Sequence, residues 1–277
     1  MLILAATPIG NLSDASPRLV EALRESRFIA AEDTRTLLKL ANGLGVKLNA
    51  TLFSLHEHNE SDRVAKILDM ATENDVLVVS DAGMPTISDP GFVLVRAAIE
   101  ADIAVSVIPG PSAVLAALSV SGLPTDRFTF EGFLPRKNGE RTSAFENLSS
   151  EVRTMVFFES PHRLTDSLES AAKVFGNDRL ASVSRELTKK FEETKRGTLE
   201  SLVEWSKSEP KGEMVLVIAG FTSNEEVNLP DLVESVEKLR TSGLSLKQSV
   251  AEVASANGVG KSELYKEVLD ARSNSPK

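Results

Sequence analysis

The sequence predicts an α/β protein: two α/β domains, at residues 1–133 and 134–222, and a small helical unit at 223–277. Three observations predict it. Short apolar runs alternate with amphipathic segments as far as residue 220, the rhythm of βαβ units. The run from Asp75 to Ser80 is apolar throughout its middle, as a strand covered on both faces is. Beyond residue 226 the apolar residues return at helical spacing.

In chain order, Leu2 to Ala6 reads as a buried strand ending at the turn-rich Thr7-Pro8-Ile9-Gly10-Asn11. Ser16-Pro17 supplies an N-cap and an N1 proline for a helix through Ser26. Phe28 to Ala31 is a second short strand, and Thr51 to Leu55 an extended segment. The strand at 75–80 runs into Asp81-Ala82-Gly83-Met84-Pro85, and a helix follows over 89–101. Ala104 to Ile108 is the next strand, and a helix starts after Pro109-Gly110-Pro111-Ser112. Phe128 to Phe133 reads as a strand leaving the first domain, and the turn-like Pro135 to Gly139 as the boundary. The second half repeats the theme, with strands at 154–158, 180–184 and 214–219 and helices near 162–174 and 198–207. Lys189 to Gly197 reads as a twisted hairpin arm. After the polar linker Ser223 to Glu226 come three apolar faces: Leu232, Val236 and Leu239; Leu246, Val250 and Val253; Leu264, Val268 and Leu269. Asn257-Gly258 separates the last two, giving a helix-turn-helix look.

Composition removes several function classes. With no cysteine there is no disulfide scaffold, thiolate metal site or Cys nucleophile. Three histidines without an HExxH pattern argue against a structural metal, and no metal ligand set is assigned. No apolar run reaches bilayer length and the N-terminus lacks a basic region before its short apolar stretch, so a cytoplasmic protein with no membrane contact is expected. A net charge of −9 argues against non-specific coating of nucleic acid. One Trp and one Tyr argue against extended stacking on bases.

The residues that can carry chemistry sit where strands end, since open α/β sheets bind ligands beyond the carboxyl ends of their strands. Three such ends are rich in Gly, Pro and small polar residues: 7–11, 80–90 and 109–112. They read either as tight βα turns or as a ligand cradle. No GxGxxG follows a strand, and Gly258-Val259-Gly260-Lys261-Ser262 lacks both the first glycine of a P-loop and a preceding strand. Common ATP and NAD enzymes are therefore disfavoured.

The strings ATPIGNL, AAEDTR, VVSDAGMPTISDPG, VIPGPSA, FFESPHR, SRELTKKFEE and GEMVLVIAG occur in this order. Together they resemble the tetrapyrrole methylase superfamily, and within it the branch that 2′-O-methylates a cytidine in the decoding-centre helix of small-subunit (16S) ribosomal RNA. The resemblance implies two α/β domains of that type, with S-adenosyl-L-methionine bound between them, and a homodimer acting on 16S rRNA within the small ribosomal subunit. It implies donor contacts from Pro8, Ala82, Gly83, Met84, Ile87, Ser112, Ala113, Phe158 and Leu187. Phe158 taken alone reads equally well as a core aromatic.

Methyl transfer is an in-line displacement, so alignment of the nucleophile behind the methyl carbon dominates. A neutral ribose hydroxyl is a poor nucleophile and needs a base or strict alignment. The candidate bases are Glu32, Asp33, Asp81, Asp89, Glu159 and Glu186, of which Asp81, Asp33 and Glu159 are preferred as catalytic. Asp81 follows an apolar strand directly and is the favoured acid/base. Asp33 reads slightly better as the N-cap of the helix that follows it, or as half of a buried salt bridge. The candidate RNA contacts are Arg35, His58, Asn59, Arg136, Lys137, Arg163, Arg185 and Lys189, with Arg141 near the domain boundary. Such charged runs also read as an ordinary solvated face. His56 and His58 share a face but lack a third ligand for zinc. From Glu225 onward there are 7 Lys+Arg against 9 Asp+Glu, a poor balance for a duplex binder. The alternatives are a small-molecule methylase acting on a tetrapyrrole, and a helix-turn-helix regulator with a ligand-sensing body.

Overall fold

The computed structural model describes residues 1–56, 58–222, 229–257 and 259–273. Glu57, the expected linker at 223–226 and the helix break at Gly258 lie outside the described residues. The chain divides into two compact units, Met1–Phe221 and Thr222–Lys277.

The first unit begins with strand β1 (Leu2–Ala5), a short 3-10 turn and helix α1 (Pro17–Glu25), which the Ser16 hydroxyl caps by accepting from Leu19 N–H at 3.1 Å. Strand β2 (Phe28–Ala31), helix α2 (Thr34–Gly43), strand β3 (Thr51–Ser54) and helix α3 (Glu60–Glu73) follow. Strand β4 (Val76–Val79), helix α4 (Phe92–Glu100) and strand β5 (Val105–Ile108) complete a five-stranded sheet in the order β3-β2-β4-β1-β5. Every pairing in it is parallel. β4 is buried along its length because α-helices cover both sheet faces, which is why its sequence does not alternate. Parallel strands also place all their C-terminal loops at one end of the sheet.

Helix α5 (Ala113–Ser121) departs from this pattern. It follows the first sheet but packs on the second. Its Val114, Ala117 and Leu118 form one core cluster with Val156, Val215 and Val217. Strand β6 (Phe128–Phe133) also belongs to the second sheet, where it pairs in parallel with β7 (Thr154–Glu159). Helix α6 (Asn138–Asn147) lies between them in sequence, starting inside the segment read as a turn. Helix α7 (Leu164–Phe175), strand β8 (Leu180–Arg185), strand β9 (Glu193–Thr198), helix α8 (Leu199–Ser206) and strand β10 (Met214–Ile218) complete the unit.

The second sheet has the order β6-β7-β10-β8-β9, and only its β6–β7 pairing is parallel. The expected repetition of the parallel theme is therefore corrected. The physical reason is that β8 and β9 form a hairpin and β10 returns between β7 and β8, directions that a continuous apolar run does not encode. Its far face buries Phe145, whose ring packs edge-on against Phe157 and Phe175 at 5.6 and 5.3 Å.

In the second unit, α9 (Leu229–Thr241), α10 (Leu246–Asn257) and α11 (Lys261–Ser273) surround Leu232, Val236, Val250, Val253, Leu264 and Val268. Arg272 reaches Glu237 at 2.6 Å and ties α11 to α9. Leu269, expected on the apolar face, is 44% exposed. No described helix is long and apolar enough to cross a membrane.

One buried carboxylate shapes the loop after β4. α4 has no cap of its own, and Glu60 from α3, only 7% exposed, accepts from both Gly91 N–H and Leu94 N–H at 3.0 Å. Negative charge at a helix N-terminus is favourable, and here it fixes where the 81–91 loop ends. Glu60→Ala is expected to raise the hydrogen-exchange rates of the Gly91 and Leu94 amides, whereas Glu60→Gln, which keeps an acceptor oxygen, stays close to wild type. Phe145→Ala is expected to lower unfolding stability by about 3–5 kcal/mol in urea denaturation of the full chain.

Candidate active site

The loops after β1, β4 and β5 meet at one end of the first sheet. Thr7 and Gly83 form an isolated backbone bridge: Thr7 N–H donates to Gly83 O at 2.9 Å and Gly83 N–H to Thr7 O at 3.1 Å. Gly83 takes φ +82°, a conformation that costs other residues strain. The Ser80 hydroxyl donates to Gly83 O at 3.3 Å, and the Thr7 hydroxyl to Ser80 O at 3.2 Å. Further along, Thr86 and Ser88 are held at φ +75° and +61°. On the second sheet, Glu186 and Thr188 sit at φ +50° and +65°. Non-glycine residues held there mark segments constrained by their surroundings.

Between these segments lies a cavity of about 570 Å³. The first sheet contributes Ile9, the 82–84 run, Ile87 and Asp89 to it. Ser112 and Ala113, at the start of α5, close one side, and the Ser112 hydroxyl caps that helix by accepting from Leu115 N–H. The second sheet contributes Phe158, Glu159, Glu186, Leu187 and Lys189, with Gly212 to Val215 behind them. Ala82, Gly83, Met84, Ile87, Ser112, Ala113, Phe158 and Leu187 are thus brought together around one space. Pro8 is buried beside it and its neighbour Ile9 faces the cavity instead.

The carboxylates separate by environment. Asp89 lines the cavity and is half-buried; desolvation, with the negative charges of Glu32 and Asp81 behind it, pushes it up to about 6, against a hydrogen bond from Ser80. The sequence offers Asp89 as a candidate base but no reason to prefer it, because nothing in a Pro- and Ser-rich loop signals burial. Asp81 does not line the cavity. Its carboxylate accepts from Asp33 N–H at 3.2 Å, and its pKa is raised by partial desolvation. Asp33 caps α2 through Arg35 N–H at 2.8 Å and holds the Arg35 guanidinium at 2.6 Å, which brings it down to about 2. An acid that weak in basicity is a poor proton acceptor.

Glu159 is fully enclosed, accepting from the Ser167 hydroxyl at 2.5 Å and from Ser160 N–H at 2.6 Å, with Arg163 at 2.7 Å. Arg163 also donates to Leu134 O at 3.0 Å, so this pair ties β7 to the end of β6. Lys189 sits in the cavity wall between Glu186 and Glu213, at 3.0 and 2.9 Å. Arg185 pairs with Glu193 at 2.7 Å. Arg141 is 2% exposed and donates to Ser170 and Asn138. That corrects its reading as a surface cation: a side chain this buried holds α6 to α7. Arg136 and Lys137 are exposed, Lys137 beside Glu140 at 2.8 Å. His58 is exposed, while Asn59 accepts from His56 N–H at 2.9 Å and donates to Ser54 O at 3.2 Å, closing its own loop. Arg35, in the first turn of α2, has 85% of its side chain exposed.

Comparison with known proteins agrees with this architecture. The family model "Tetrapyrrole (Corrin/Porphyrin) Methylases" matches residues 1–203. The chain is 46% identical over 273 residues to "Ribosomal RNA small subunit methyltransferase I" of Mycobacterium tuberculosis (strain CDC 1551 / Oshkosh), covering 98% of this chain and 95% of that one. It is 43% identical to the protein of the same name from Escherichia coli O157:H7, covering 97% and 94%. Among solved structures, the methyltransferase CobJ aligns at TM-score 0.60 and 20% identity, over 79% of this chain and 93% of that one. Diphthine synthase aligns at 0.58 and 15% identity, over 79% and 89%. At these identities the two structures speak for the fold alone. The domain match and the end-to-end relatives agree: this chain is a methyltransferase of the tetrapyrrole methylase family.

Proposed function

We propose that the protein transfers the methyl group of S-adenosylmethionine to the ribose 2′-oxygen of a cytidine in 16S ribosomal RNA. The observation that carries the substrate class is the similarity over nearly the whole chain to proteins named for small-subunit ribosomal RNA methylation. The tetrapyrrole alternative has in its favour the name of the family model and solved structures of the same fold at 20% identity or less.

The cavity suits the donor. Its walls are small or apolar where a nucleoside has to lie close, at Gly83, Met84, Ser112, Ala113, Leu187 and Val215. The carboxylates of Asp89, Glu186 and Glu213 favour a cationic ligand. When bound, the donor supplies an electrophilic methyl carbon on a sulfonium. Asp89 is the residue we assign as the base: it shares the cavity and its pKa lies close to the operating pH, where proton transfer is most effective. Asp81 and Glu32 then act on Asp89 through their charge. Glu159 and Arg163 hold the cavity wall, and Asp33 orients Arg35 toward the incoming RNA. Arg35, His58 and Arg136 are the exposed groups we assign to phosphate contact. The homodimer belongs to the same reading, and sedimentation of the purified chain tests it.

Incubation with labelled S-adenosylmethionine and small ribosomal subunits that lack the modification is expected to label the RNA, with no label on a tetrapyrrole offered in parallel. Asp89→Asn is expected to lower kcat by about 10²–10⁴ while S-adenosylhomocysteine affinity stays within about threefold. Wild-type kcat/KM is expected to rise with pH through about 6, since the ionised carboxylate is the active form. For stability the sign is the reverse. The folded protein binds the Asp89 proton more tightly than the unfolded chain, so this contribution is present at low pH and is lost as pH rises through about 6. Asp89→Asn is therefore expected to raise the melting temperature at pH 8 and to leave it nearly unchanged at pH 4.

A further inference from the structure

Strand β6 does not pair evenly with β7. Its register slips between Phe130 and Phe133, and Gly132 takes φ +70° at the slip. A Cβ at Gly132 would lie 3.9 Å from the Ser88 hydroxyl oxygen, so the bulge abuts the loop that carries Asp89. Bulges beside active sites re-aim side chains. Here the side chain is Phe133, which faces the cavity and is 61% exposed.

This ring is wet yet firmly backed. It forms an edge-to-face pair with Phe158 at a centroid distance of 5.3 Å, and Phe158 forms another with Phe130 at 4.9 Å. Ile87, also facing the cavity, is 46% exposed. Leaving a phenyl and an isoleucine in water beside a folded core forgoes the free energy of burying them. A ligand that covers them recovers it. Gly83, by contrast, is buried in the cavity interior, where a small donor lies against the backbone. Phe133 stands where a larger substrate has to enter from solvent.

We propose that Phe133 is the platform on which the base of the methylated nucleotide stacks. The inference rests on the ribosomal RNA reading above. Single-stranded bases are held by aromatic faces, and an enzyme acting on one nucleotide of a folded RNA has to draw it out of its stack. A base held on Phe133 places its own ribose in the cavity that contains Asp89. The aromatic series Phe130, Phe158 and Phe133 keeps the platform rigid, so little ordering remains to be done on binding.

The test uses the full-length protein, labelled S-adenosylmethionine and small ribosomal subunits lacking the modification. Phe133→Ala and Phe133→Leu are expected to lower kcat/KM for the subunits at least tenfold, because an aliphatic side chain fills volume without offering a ring face. Phe133→Tyr is expected to lose less than threefold. S-adenosylhomocysteine affinity by calorimetry is expected to stay within twofold in all three. Leucine as good as phenylalanine, or an S-adenosylhomocysteine affinity that falls in step with turnover, overturns the inference. An active wild type with an unimpaired alanine variant overturns it while leaving the ribosomal RNA reading standing. A wild type inert on the subunits overturns both.

Discussion

The cavity exists because helix α5 packs on the second sheet rather than on the one that precedes it. Its sequence, Ala113-Val-Leu-Ala-Ala-Leu-Ser-Val-Ser, offers apolar groups on several sides, and Val114, Ala117 and Leu118 enter the core with Val156, Val215 and Val217. That burial fixes the distance between the sheets. It also sets Ser112 and Ala113, at the head of α5, opposite the loop after β4. Ile9 and Leu187 belong to the same core cluster, so the β1 loop and the segment after β8 are held from opposite sides by the same packing. A polar group placed in this cluster would disturb the cavity from a distance, since close-packed interiors transmit changes of volume.

The electrostatics follow from where the loops end. Four carboxylates, Glu32, Asp33, Asp81 and Asp89, gather beyond β2 and β4, and their fates differ with their neighbours. Arg35 neutralises Asp33. Backbone donation steadies Asp81. Asp89, half-buried where Asp81 is exposed and offset only by the Ser80 hydroxyl, carries a larger rise in pKa than Asp81. Perturbation of this kind, on a residue facing a cavity, is a mark of functional sites. Meanwhile Arg163, Arg185 and Lys189 are spent on ion pairs with Glu159, Glu193, Glu186 and Glu213. Under the proposed reading, RNA approaching a chain of net charge −9 then meets exposed cations such as Arg136, and Arg35, which stays 85% exposed while paired with Asp33.

Much of the first sheet can be read directly. β1, β2, β4 and β5 are compact apolar runs, and Ser16-Pro17, Asp33 and Ser112 cap helices as their chemistry requires. The helix expected over 89–101 begins only at Phe92: its cap is Glu60, distant in sequence, and the chain between Asp89 and Gly91 is loop. α6 was hidden because Asn138-Gly139 signals a turn and no side chain caps the helix. Strand direction in the second sheet was hidden because Met214 to Ile218, buried on both faces, reads alike in parallel and antiparallel neighbourhoods. At the site, small residues at strand ends were readable, since close approach demands them. Burial of individual charges was not: the environments of Asp89, Glu159 and Arg141 depend on Glu32, Ser167 and Ser170, which lie 57, 8 and 29 positions away.

The most direct test of this account is a crystal structure of the protein with S-adenosylhomocysteine. The account places the product between the sheets, against Gly83–Met84 and Ser112–Ala113, with the Asp89 carboxylate facing the space beyond the sulfur. Product bound anywhere else, or bound there with Asp89 shut off from that space, would contradict it.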